Sequence, residues 1–132
     1  MYPVLVAVDR SETRAEHQAA FVADLPHAET EVEATVLYVF PHADHKGAPK
    51  HEFEEVDAAV AAADHLESAG ISVNRVAEGG EVVSKILAHA ADIDARSIVL
   101  GGRKRSGVAK VIMGSTAMDV LVSAERPVVV TG

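Results

Sequence analysis

The stretch of this sequence best equipped for chemistry is Gly101-Gly102-Arg103-Lys104-Arg105-Ser106-Gly107, followed six residues later by Gly114-Ser115-Thr116. Paired glycines let the main chain approach a ligand and adopt positive φ, adjacent cations attract an anion, and Ser115 and Thr116 with the free amides of a helix start form an anion site. The chemistry that suits this set is phosphate binding. It is not a Walker loop, because Val108 follows Gly107 where a lysine and then a hydroxyl residue are needed, and no GxGxxG occurs. The plainer alternative is a solvated loop whose Gly114-Ser115 only caps a helix.

Other residues invite chemistry less strongly. Asp9, directly after an apolar run, either faces a ligand or forms a turn and caps a helix. His42, Asp44 and His45, with His51 nearby, raise zinc, but zinc needs three or four ligands in fixed geometry with supporting partners, so a polar surface loop is the better reading. Glu78 and Glu81 flank Gly79-Gly80; a turn followed by an acidic first helical turn accounts for them more simply than acid–base catalysis. None of His17, His27, His65 and His89 has a serine in a nucleophile motif, so no catalytic residue is assigned.

Composition narrows the classes further. The chain has no cysteine, which removes disulfides, thiolate zinc sites and cysteine nucleophiles and fits a reducing compartment. Twenty acids against 12 bases give a net charge of -8 at pH 7, which disfavours nucleic acid as a partner. The acidic, alanine- and valine-rich composition suits a halophilic source, testable as a stability that rises between low and multimolar KCl. Residues Met1 to Arg10 lack a basic leader with a long apolar stretch, and no apolar run reaches the ~18 residues of a membrane span. A cytoplasmic location without a membrane partner is therefore expected.

The elements that must position the glycine loop follow from hydrophobic periodicity. Strands are expected at Pro3 to Val8, Glu31 to Phe40, Ile71 to Ala77, Ser97 to Leu100 and Val128 to Thr131. Between them, helical spacing places Ala15, Ala19, Val22 and Leu25 on one inner face, then Phe53, Val56, Val60, Ala63 and Leu66 on a helix from Glu52 to Ala69. It continues with Val82, Val83, Ile86, Leu87 and Ala90, and finally with Ala117, Val120, Leu121 and Ala124 on a helix opened by Gly114. Five strands alternating with four helices make a single α/β domain over residues 1–132, a doubly wound parallel sheet with helices on both faces. Ligands bind such sheets beyond the strand C-termini, where strand order reverses.

The strand ending Val8-Asp9, the strand Val36-Leu37-Tyr38-Val39, Ile98-Val99-Leu100-Gly101 with its glycine loop, Gly114-Ser115, and Arg126-Pro127-Val128-Val129-Val130 together resemble the universal stress protein family, in order along the whole chain. The resemblance implies strand order 3-2-1-4-5 in an adenine nucleotide alpha hydrolase-like fold. It also implies a stress-response module that binds ATP or AMP, with or without Mg2+, between strands one and four, and a homodimer through the last strand, Val128 to Val130. Its nucleotide-binding pattern of Gly, two residues, Gly, nine residues, Gly-Ser matches at Gly101, Gly114 and Ser115, but Lys104 stands at the middle glycine. Carried over by position, Val8 and Asp9 line the adenosine pocket, Asp9 near ribose or a nucleotide-bound Mg2+. Val39 offers main chain to adenine, and Leu100, Gly101, Arg103, Gly114, Ser115 and Thr116 surround ribose and phosphates. Lys104 either grips phosphate or closes the pocket, and the latter gives the alternative of a nucleotide-free dimeric interaction protein. At most slow, incidental ATP hydrolysis is expected.

Overall fold

The computed structural model describes residues 1–41, 51–104 and 111–132. Its elements are β1 (Tyr2–Ala7), α1 (Glu12–Ala23), α2 (Ala28–Glu31), β2 (Val32–Phe40), a 3-10 turn (Phe53–Glu55), α3 (Asp57–Ser68), β3 (Ser72–Gly79), α4 (Val82–Asp92), β4 (Ser97–Gly101), β5 (Arg103–Lys104), β6 (Val111–Ile112), α5 (Ser115–Ser123) and β7 (Val128–Thr131). Five strands form one all-parallel sheet in the order β3-β2-β1-β4-β7. Apart from the small antiparallel ribbon of β5 and β6, this is the expected order 3-2-1-4-5.

Alternation along the strands divides the core. Val4, Val6, Ala34, Val36, Tyr38, Phe40 and Val99 face the layer of α1 and α3, packing with Ala15, Ala19, Val22, Ala59, Ala63 and Leu66. Leu5, Leu37, Val39, Ile98 and Leu100 face the other way, onto Ile86 and Ala90 of α4 and Ala117 and Val120 of α5. Because β1, β2 and β4 lie inside the sheet with both faces covered, they read as nearly continuous hydrophobic runs, interrupted at buried Thr35 and Ser97. The alanine-rich faces of α1 and α3 let these helices lie close on the sheet and on each other.

Four expectations are corrected. The helix placed from Glu52 begins at Asp57. Glu52 and Glu55 exchange side-chain and main-chain hydrogen bonds in a capping box that closes a separate turn, and Val56 then takes an extended conformation and is buried. Leu121, assigned inward, is 42% exposed, because α5 meets the core along Ala117 and Val120. Gly79 belongs to β3, and the turn falls on Gly80 at φ 134, whose N–H donates to Phe40 O. Finally, Gly101 and Gly102 are not among the positive-φ residues; Gly101 ends a strand, and its lack of a side chain serves close packing instead. Among the described residues, no helix is long and apolar enough to cross a membrane.

Candidate functional site

β1 stands between β2 and β4, and the connections leaving these strands run in opposite directions, so a crevice opens where their C-terminal ends part. It holds a cavity of about 350 Å3, within the range of small-ligand sites. Val8 and Asp9 line it from the end of β1, Leu37 and Val39 from β2, Leu100 and Gly101 from β4, and Gly114, Ser115 and Thr116 from the start of α5. Arg103 lines it from β5, and Val82, Ile86 and Ala117 form an apolar wall from α4 and α5. Nine of the ten residues expected at a binding site thus converge on one cavity. The tenth, Lys104, has its main chain in β5, paired with Val111.

The start of α5 has the character of an anion site. Its first intrahelical bond runs from Met118 N–H to Gly114 O, and no side chain caps the helix, so the N–H groups of Ser115, Thr116 and Ala117 have no intrahelical acceptor. A Cβ built on Gly114 would meet nothing within 4 Å, so the protein itself does not require glycine there. That open space is room for a ligand to approach the main chain.

Asp9 does not face the cavity alone. Its Oδ2 accepts from Arg14 Nε at 2.8 Å, and its Oδ1 accepts from Ser11 N–H at 2.8 Å. Ser11 in turn caps α1 by accepting from Arg14 N–H. Arg14 itself lines the cavity. The Asp9 carboxylate is therefore already neutralised and oriented, and its structural work is to hold a guanidinium at the cavity wall. This pair escaped the sequence reading. Its signal was a basic residue one helical turn after the Ser11 cap, opposite an acid at a strand end.

Gln18 was also missed. It lies on the buried stripe of α1 beside Ala15, Ala19 and Val22 and is fully buried. A polar residue on an otherwise apolar helix face was the signal. Its Nε2 donates to Ala7 O at 2.8 Å and to Val99 O at 3.1 Å, beneath the cavity.

The other candidates separate from this site. His42, Asp44 and His45 lie outside the described residues, and among the described residues no group of three metal-ligating side chains occurs. His51, His65 and His89 each hydrogen-bond a glutamate, Glu55, Glu16 and Glu78 respectively. The His51 hydrogen bond, then the Glu52 N–H, hold the Glu55 carboxyl below the usual carboxylate range. Glu81 caps α4 by accepting from Ser84 N–H. With Glu78 and Glu81 engaged in different roles, the acid–base reading of that pair has no support.

Comparison with known proteins supports the fold. The model of the universal stress protein family matches residues 1–132. A universal stress protein from Archaeoglobus fulgidus is similar at 27% identity and a TM-score of 0.80, over 100% of this chain and 99% of that one. The universal stress protein from Archaeoglobus fulgidus in complex with dAMP is similar at 27% identity and a TM-score of 0.77, over 100% and 98%. A universal stress protein in complex with cAMP shares the fold at 16% identity and a TM-score of 0.70, over 98% and 95%. No curated protein matches the chain.

Proposed function

Since the chain belongs to the universal stress protein family, we propose that it binds an adenine nucleotide, ATP or AMP, in the crevice between β1 and β4 and acts as a nucleotide-responsive module in a stress response. The observation that carries this reading is the division of the cavity into two kinds of wall. Leu37, Val39, Val82, Ile86 and Leu100 offer an apolar slot of the kind a purine ring fills, and the main chain of Val39 at its rim can read the ring edge. Arg14, Arg103, Ser115 and Thr116 supply the polar part of the lining, where ribose and phosphates would lie.

In this chain charge neutralisation falls to side chains. Arg14, set by Asp9, presents a planar donor group, and Arg103 adds an exposed second cation beside the amides of α5. Asp9 already accepts from Arg14 and from Ser11 N–H, so the two guanidinium groups are assigned the neutralisation of phosphate charge, and a Mg2+ carried by the nucleotide would meet Asp9 at its remaining lone pairs. The similarity to a protein solved with dAMP supports the adenine assignment.

The reading includes a cytoplasmic homodimer formed through β7. This strand ends the sheet, paired only with β4 among the described residues, and Val128, Val129 and Val130 are half-buried. Next to it α5 leaves Met118, Leu121 and Val122 exposed, and a second copy would cover edge and helix together. Mass spectrometry of the freshly purified, denatured protein tests the ligand. ATP or AMP released in near-stoichiometric amount supports the reading, whereas no nucleotide, together with no thermal shift on adding AMP or Mg-ATP, returns the protein to the nucleotide-free alternative.

A further inference from the structure

β1 and β4 pair in parallel through Val4 with Ser97, Leu5 with Ile98 and Val6 with Val99, and there the pairing ends. Continued in register, it would join Ala7 to Leu100 and Val8 to Gly101 and close the crevice. Gln18 enters that gap from the α1 side of the sheet and binds one carbonyl of each strand, Ala7 O and Val99 O. Two carbonyl acceptors fix the orientation of the carboxamide, since a flipped group would set its oxygen against both. Its Oε1 is left buried without a hydrogen-bond partner among the described residues. This is the one cost of the arrangement.

Gly101 is matched to it. A Cβ on Gly101 would lie 3.0 Å from Gln18 Oε1 and 3.1 Å from Arg14 Cβ, so only glycine lets α1 seat both side chains against the end of β4. The carboxamide extends the β1–β4 connection by one step where main-chain pairing has stopped. It thereby fixes the separation of Val8-Asp9 from Leu100-Gly101, the two segments that line opposite sides of the cavity.

We propose that Gln18 is a positioning residue for the nucleotide, a side-chain clamp that holds the parted strand ends at the spacing the ligand needs. The inference rests on the nucleotide reading above and goes beyond it by assigning the width of the site to a residue outside the cavity wall.

The sequence makes the test direct, because Gln18 is the only glutamine and Asn74 the only asparagine. The 15N-labelled protein therefore gives two side-chain amide pairs, and Asn74, which is exposed, serves as the internal reference. In the wild-type protein the Gln18 pair is expected to exchange with solvent far more slowly than the Asn74 pair and to shift along the AMP titration curve while Asn74 stays fixed. Gln18→Met, similar in length but without a donor, is expected to weaken AMP binding about tenfold, the worth of one good hydrogen bond. Val22→Ala, one turn further along the same buried stripe, controls for lost stability and is expected to leave AMP affinity unchanged. Failure of the wild-type protein to bind AMP overturns the nucleotide reading and this inference with it. Normal wild-type binding with unchanged affinity in Gln18→Met, or Gln18 exchange as fast as that of Asn74, overturns the positioning role alone. Should Gln18→Met fail to fold, the exchange and titration of the wild-type carboxamide still decide.

Discussion

Gly101→Ala is expected to destabilise the protein although alanine is the better strand residue. Gly101 ends β4 outside the positive-φ region, so the backbone does not require glycine, and relief of unfolded-state entropy would favour alanine by roughly 0.5–1 kcal/mol. Against this, the new methyl carbon would stand 3.0 Å from Gln18 Oε1 and 3.1 Å from Arg14 Cβ. Overpacking of that kind costs about 1–3 kcal/mol. The packing effect is the larger at its central value, leaving a net loss of about 1 kcal/mol within a range of about 0–2.5 kcal/mol. For a domain of this size, near 3.5 °C per kcal/mol, Tm falls by roughly 4 °C. Urea and thermal unfolding measure the loss, and a double-mutant cycle with Gln18→Ala assigns it. With Oε1 gone, part of the penalty disappears, so the two substitutions should depart from additivity by more than the roughly 0.3–0.5 kcal/mol seen for independent sites. A Gly101→Ala protein as stable as wild type, with strict additivity, would refute the claim that Gly101 is dictated by the carboxamide and guanidinium side chains behind it.

Arg14→Gln should leave folding stability within about 1 kcal/mol, because its Asp9 partner is 51% exposed and such pairs contribute little, yet weaken AMP binding several-fold; paired unfolding and titration curves separate the two effects. Val122→Glu, at a position 76% exposed on α5, should change monomer stability by less than about 0.5 kcal/mol while shifting sedimentation from dimer to monomer. Glu55→Gln probes acid stability. Because the native Glu55 carboxyl titrates below its ordinary value, its contribution is present above that ordinary value and is lost as pH falls through the lowered native one. Wild type and variant should therefore differ near neutrality and converge in acid, as read from urea midpoints across pH.

How much of this was legible beforehand depended on whether the signal was local. β1, β2 and β4 were readable because a strand buried on both faces is apolar at most positions, and the order of the sheet followed from the family resemblance. Gly114-Ser115-Thr116 was readable as a helix start because helix starts have distinct residue types. What stayed hidden depends on which groups the fold turns toward one another, and residue type alone does not show that. Gln18 interrupts an apolar stripe, and its reason is visible only with Ala7 O and Val99 O, the latter 81 residues away, beside it. Arg14 is one basic residue on a helix, and its role is visible only with Asp9 as its partner. The break at Val56 was masked by a helical spacing that ran unbroken from Phe53 to Leu66, although Glu52 and Glu55 already carried the capping box. Leu121 kept helical spacing yet is exposed, because α5 meets the core along Ala117 and Val120.

The charge distribution also takes on a local meaning. In a chain of net charge -8, Arg14 and Arg103 bring two guanidinium groups to the one cavity formed where the strands part, beside the uncapped start of α5.

Calorimetric titration of AMP and of Mg-ATP into protein freed of nucleotide tests the central claim most directly. The account predicts saturable binding at one site per chain, weakened by Arg14→Gln and by Gln18→Met. Heats of dilution alone for both nucleotides, from protein that is folded by its unfolding curve, would contradict it.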